Sequence, residues 1–146
     1  MKLKTILLAL SLLVVIDACR ATSVFYAKSA GHIGISTYCG EALNENINMI
    51  GIRHGNYHIA TMTNSFNQQS FIFSKLREID FGLISVGAHV GLVHGYSLQY
   101  FFSCNSNRSP DILPFVAPNI SINMKKSKLS LMFLGAGYTI AYSYEL

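Results

Sequence analysis

A chain of 146 residues is long enough for one domain and too short for two, which excludes mechanisms that need moving domains. Only 12% of its residues are charged while 51% are hydrophobic, about half the charge of an ordinary globular protein. The formal charge of +4 owes much to Lys2, Lys4 and Arg20 against Asp17, so a nucleic-acid partner is not implied once that leading segment is set aside.

Lys2 and Lys4 precede an apolar run from Ile6 to Ile16, which Ala18 and Ala21 follow. This order predicts a secretory signal peptide over 1–21, cut after Ala21, with a single domain over 22–146. The run falls short of the roughly 20 residues of a membrane-spanning helix, and Asp17 and Arg20 close it. Ile16-Asp17-Ala18-Cys19 also resembles a bacterial lipobox, the alternative in which Cys19 becomes a lipidated N-terminus. Export leaves Cys39 and Cys104 as an even pair where disulfides persist; two unrelated buried thiols are the other reading. No metal-ligand spacing such as C-x-x-C occurs, and neither metal nor cofactor is expected.

After the signal, period-two alternation punctuated by Gly, Asn and Ser recurs, and it predicts an all-β chain. Eight strands are expected at about 31–38, 47–54, 57–64, 70–75, 81–94, 113–124, 128–134 and 137–145, with Ser74 to Asp80 the one plausible helical turn. The fifth strand sets Ile84, Val86, Ala88, Val90 and Leu92 on one face and Ser85, Gly87, His89 and Gly91 on the other. A soluble sandwich would point the aliphatic face inward and carry Lys, Glu or Thr outside, not a row of glycines. A small closed antiparallel up-and-down barrel fits better: the slender face fills a narrow lumen and the aliphatic face looks out to lipid.

The last strand repeats the pattern, with Tyr138, Ile140, Tyr142, Tyr144 and Leu146 opposite Gly137, Thr139, Ala141, Ser143 and Glu145. These residues resemble the C-terminal strand of bacterial outer-membrane β-barrels, although that family usually ends in an aromatic where Leu146 stands. In an eight-stranded barrel with an internal N-terminus, the connections after strands one, three, five and seven share the outer end. Cys39 and Cys104 both fall in such connections, as a disulfide requires.

With this register the lumen receives His32, Arg53, His58, Asn64, Ser70, Ser85, His89, Asn119, Ser121, Asn123, Thr139, Ser143 and Glu145. Buried charge must be paired or hydrated, and Arg53 with Glu145 is the pair expected within a structural polar plug. The catalytic alternative is acyl transfer by a His and a Ser, as in membrane-embedded lipid A deacylases and acyltransferases of similar size, which place the pair on the lipid-facing surface. His58 with Ser65 or Ser70 is the candidate, without the flanking pattern of those enzymes.

The stretch from Gly55 to Ser70, containing Asn64-Ser65-Phe66 and a Ser five residues after Ser65, is similar to small exported β-barrel-like proteins encoded by bacteriophages and prophages. That resemblance implies no activity; a phage setting suggests alteration of the envelope. Asn107-Arg108-Ser109 and Asn119-Ile120-Ser121 match the glycosylation sequon, which keeps a eukaryotic secreted protein as an outlying reading.

Three functions compete. The first is a non-enzymatic outer-membrane barrel, with outer-membrane lipid and a phage or envelope protein at its external loops as partners. The second is a lipid-modifying barrel enzyme, and the third a soluble periplasmic calycin-like binder of a small ligand.

Overall fold

In the computed structural model the described residues are 21–34, 37–104 and 110–146. The expected signal segment up to Arg20, the lipobox cysteine Cys19 and the first sequon at Asn107 lie outside them. Among the described residues, alternation of β-branched or aromatic residues with small polar ones drives nearly every element, because such stretches can bury one face only as strands.

The strands are β1 (Thr22–Ala27), β2 (Ala30–His32), β3 (Thr37–Tyr38), β4 (Glu41–Ala42), β5 (Met49–His54), β6 (Tyr57–Thr63), β7 (Gln69–Asp80), β8 (Ile84–Tyr96), β9 (Asp111–Asn123), β10 (Ser127–Leu134) and β11 (Gly137–Glu145). One short helix, α1 (Leu98–Ser103), lies between β8 and β9. From β5 to β11 each strand pairs antiparallel with the next, and β1 pairs with both β5 and β11. The ring is a closed, eight-stranded, antiparallel barrel with an extra strand, β2, which extends the line of β1 along β11 through Ala30↔Thr139 and His32↔Gly137.

Two expectations need correction. The first wall strand is Thr22–Ala27 with its continuation Ala30–His32, not 31–38. Alternating Ser23, Val24, Phe25 and Tyr26 suffice to start the sheet immediately after residue 21. The expected helical turn over Ser74 to Asp80 is the lower half of β7: Ser74 and Leu76 are buried while Arg77 and Ile79 face outward. Its charges look helical locally, but β8 supplies a backbone partner for every residue from Phe71 to Asp80, and that ladder decides the conformation.

Orientation follows the small-inside rule. Val86, Val90 and Leu92 are 44%, 53% and 48% exposed, whereas Ser85 and His89 on the other face retain 1% and 8%. The glycine row is obligatory for a physical reason. A methyl group at Gly91 would collide with the Phe73 carbonyl and the Ser74 Cα, and one at Gly87 with the Arg77 carbonyl. Outward apolar side chains stand on all eight wall strands, for example Val24, Ile52, Ile59, Phe73, Val86, Ile120, Leu129 and Ile140. The belt is broken on β7 by Lys75, whose Nζ lies 5.0 Å from the centre of the Tyr57 ring, and by Arg77.

The two ends differ in build. Short turns at 55–56, 81–83 and 124–126 close one end, while the β3–β4 hairpin, the 64–68 loop, α1 and the 135–136 turn lie at the other. The longer connections carry the β3–β4 hairpin and α1, and Cys39 and Cys104 join them with Cα atoms 5.5 Å apart. The bridge closes a separation of 65 residues, for which loss of unfolded-state entropy amounts to about 4 kcal/mol. Cys39→Ser is therefore expected to lower unfolding free energy by about 2–4 kcal/mol and to abolish the difference between reduced and non-reduced gel mobility. Thermal melts with and without reductant check this: the reductant should shift the wild type and leave the variant unmoved.

Candidate functional site

The lumen is layered along the barrel axis. Nearest the short turns lies a charged network built on β7 and β10. Glu78 Oε2 accepts from Lys128 Nζ at 2.7 Å, and its Oε1 accepts from Ser85 Oγ at 3.0 Å and from Asn119 Nδ2 and Ser121 Oγ at 3.4 Å. Ser121 and Ser130 join hydroxyls at 2.9 Å across the β9–β10 pair. A half-buried ion pair is stable only when its other lone pairs are satisfied in this way.

Above this network stand two histidines. The rings of His58 and His89 meet edge to face with centroids 4.6 Å apart, and Phe25 packs on His58 at 5.5 Å. Ser74 Oγ lies 3.2 Å from His89 Nδ1. Arg53 sits directly across the β5–β6 ladder from His58. The Nε of Arg53 and the Nδ1 of His58 are both buried without a hydrogen-bond partner.

The third layer is apolar. Ala27, Ile47, Met49, Ala60, Met62 and Ala141 form a core cluster, and Phe25, Ile72, Tyr96 and Met132 pack against it. A cavity of about 100 Å³ opens among these side chains, with His58 and His89 at its floor. It adjoins a wider one of about 380 Å³ between β9 and the β10–β11 turn, sharing His32, Ser65, Tyr96, Phe115, Leu134 and Gly137.

The roof is fastened by one residue. Asn64 is wholly buried, and its Nδ2 donates to Ser70 Oγ at 3.0 Å and to the Gly95 carbonyl at 2.8 Å. Its Oδ1 accepts from the backbone N–H of Phe66 at 2.9 Å and of Gln68 at 3.0 Å. Gly95 has φ of 115° at the irregularity between His94 and Tyr96, and any side chain there would strike Ser70. The Asn-Ser-aromatic element is thus a structural staple that binds the β6–β7 loop to a bulge in β8.

Several expected site residues come together in a different arrangement from the one anticipated. His58 lies opposite Ser74, whereas Ser70 lies opposite Met62 four residues farther along β6, roughly 13 Å at strand rise. Ser65 instead meets His32, Oγ to Nε2 at 3.0 Å. The candidate pairs His58–Ser65 and His58–Ser70 are therefore not assembled, and His58 and Ser70 face the lumen, not the outer surface. Ser74–His89 has hydroxyl and imidazole in reach, but Glu78 bonds to Lys128, Ser85, Asn119 and Ser121, so no carboxylate orients His89 among the described residues.

Arg53, His58, Asn64, Ser70 and His89 all point into the lumen as the alternation predicts, while Glu145 is exposed at the strand end and no ion pair joins it to Arg53. The carboxylate that holds an interior cation is Glu78, hidden from sequence reasoning because its segment was read as helical. Pro114 and Pro118 lie within β9, where a missing N–H marks a side of the strand without a ladder partner. Among the described residues no three His, Cys, Asp or Glu side chains gather into a metal site.

No family model, curated protein or solved structure matches the chain. Its chemistry has to be read from the side chains themselves.

Asn64 supports the sharpest prediction of this region. Asn64→Ala removes four hydrogen bonds from a fully buried position and leaves the Gly95 carbonyl and two loop N–H groups unpaired. The expected loss is about 2–4 kcal/mol. Denaturant unfolding checks it, with Ser65→Ala, whose hydroxyl meets His32 and Tyr96 but no loop backbone group at the Asn64 turn, expected to cost less than Asn64→Ala, about 1–2 kcal/mol.

Proposed function

We propose that the chain is a small bacterial outer-membrane β-barrel with a non-enzymatic role, presenting its disulfide-tied connections as an interaction surface at the outer face of the envelope. One observation carries this reading: the wall exposes aliphatic and aromatic side chains on every strand around the full ring, over a lumen of serine, asparagine, histidine and glycine. Monomers in water rarely leave an apolar surface of this extent uncovered, whereas a barrel in lipid requires it. Among the described residues no helix is long and apolar enough to cross a membrane, so a crossing would be made by the strands, which pair around a closed ring. Lys75 and Arg77 fit this picture as long cations that carry their charge toward an interface, Lys75 across Tyr57.

The same observation disfavours the soluble calycin-like binder, whose aliphatic face would be inside. The lipid-modifying enzyme is disfavoured because the serines and histidines face inward and His58 meets neither Ser65 nor Ser70. The resemblance of the Asn64–Ser70 region to phage- and prophage-encoded barrels supports an envelope-altering role, with a phage or envelope protein at the loops.

Expression with fractionation tests the location: the protein should pellet with outer membranes and resist carbonate extraction, and recovery as a soluble periplasmic protein would overturn the reading. Val86→Glu or Ile120→Lys, each placing a charge on the outward face, should cost about 2–4 kcal/mol in lipid and little in a soluble barrel. Lipid A from expressing cells should show an unchanged acyl count by mass spectrometry.

A further inference from the structure

The β9–β10 ladder runs from Lys128↔Asn123 to Met132↔Asn119 and stops, although β9 continues to Asp111 and stays paired with β8 throughout. Pro118 is the next residue of β9, and Pro114 stands four residues farther on, two periods of the alternation away and so on the same side of the strand. Because the β8 ladder passes both prolines without interruption, their missing N–H groups lie on the β10 side. β10 itself ends at Leu134, so residues 111–116 of β9 rise past the β10–β11 turn, and the wider cavity, lined by Leu113, Pro114, Phe115 and Leu134, opens over this lower stretch of the rim. Two prolines suit such an unpaired edge, since each removes a donor that would otherwise face an apolar surrounding unpaired.

That opening leads to the apolar cavity, and that cavity ends on charge. Below His58 and His89 a small chamber is lined by Arg53 and Lys128. Lys128 is neutralised by Glu78, but Arg53 has no ion-pair partner among the described residues and its Nε is buried and unpartnered, as is His58 Nδ1. A buried donor without an acceptor is costly, and a carboxylate entering the chamber supplies one.

We infer that the lumen is a binding site for a free fatty acid, the carboxylate held by Arg53 with His58 beside it and the unbranched chain extended through the apolar layer to the opening at Pro114. The chain class follows from the walls. Met49, Met62 and Met132 adapt to a flexible tail, and the apolar lining suits an unbranched hydrocarbon chain. A free acid is the ligand that answers both the apolar cavity and the unpartnered Arg53 Nε. The route over the rim rests on the membrane reading above; the site itself does not.

Palmitate labelled with ¹³C at the carboxyl carbon is the probe. The full-length protein is placed in nanodiscs of zwitterionic phospholipid or, if fractionation recovers it soluble, in buffer. A separate carboxyl resonance of bound palmitate is expected, displaced by unlabelled palmitate and not by methyl palmitate. Arg53→Gln should weaken binding at least about tenfold, the loss expected for a hydrogen bond to a charged group, while Arg53→Lys retains most of it. Ala117→Trp, which fills the apolar layer, should abolish the resonance, and Lys126→Gln, which removes an equal charge at an exposed turn, should leave it unchanged. Circular dichroism and heat-dependent gel mobility confirm that each variant is folded. Exchange should slow several-fold in a Pro114→Val/Pro118→Val double variant, and an unchanged exchange rate would overturn the route. Absence of a bound resonance in a folded, membrane-inserted protein would overturn the site and leave the location standing, as would equal competition by methyl palmitate. A soluble protein that binds palmitate would overturn the location alone.

Discussion

Closing eight strands into a ring leaves an interior only as wide as the side chains that fill it. Every inward position here has to satisfy that limit, and the residues show how it is met. Where the wall strands approach most closely, at Gly87 and Gly91, not even a methyl group can be admitted. Elsewhere most inward places go to serine, asparagine, alanine and methionine, with a few larger side chains such as Phe25, Ile47 and Leu76, so most of the large aliphatic and aromatic side chains stand outside. The apolar belt is thus a consequence of the narrow bore as much as a feature of the surface.

A narrow bore also forces polar groups into one another's company. Glu78 would be untenable alone; with Lys128 and the amide and hydroxyls of Asn119, Ser85 and Ser121 it becomes a hub that ties β7, β8, β9 and β10 together at one end. At the other end Asn64 does the same for the roof with an uncharged side chain, all of its amide hydrogen-bonding capacity engaged. Between them the apolar layer and its cavities are the part of the lumen left unfilled, with Arg53 and His58 left short of partners at its floor. Polar ties hold the two ends, and the apolar core and its cavities lie between them.

Much of the fold could be read from residue order. The alternation of Ile84 to Leu92 against Ser85 to Gly91, repeated from Tyr138 to Glu145, announced both the strands and which face is inside, because a period of two permits one orientation per narrow ring. The candidate site was legible only as a set of inward positions. His58, Ser70 and Asn64 were known to share the lumen, but whether His58 faces Ser70 or Ser74 depends on the register between β6 and β7, which loop length sets only after the Asn64 turn has formed. The Glu78 segment misled because its charges alternate with apolar residues in a manner a single helical turn also tolerates, and only the long ladder with β8 excludes it.

By itself the sequence determined the all-β class, the barrel, the outward aliphatic face and the placing of Cys39 and Cys104 at one end, since each follows from spacing along the chain or from the parity of connections. Tertiary structure alone decided the partners: Lys128 for Glu78, Ser74 for His89, His32 for Ser65, and, among the described residues, no ion pair for Arg53. It also decided where the β9–β10 ladder ends beside Pro118. The physical reason is that alternation fixes the side of the sheet to which a residue belongs, whereas a contact across the lumen depends on strand stagger and closure, which no single strand encodes.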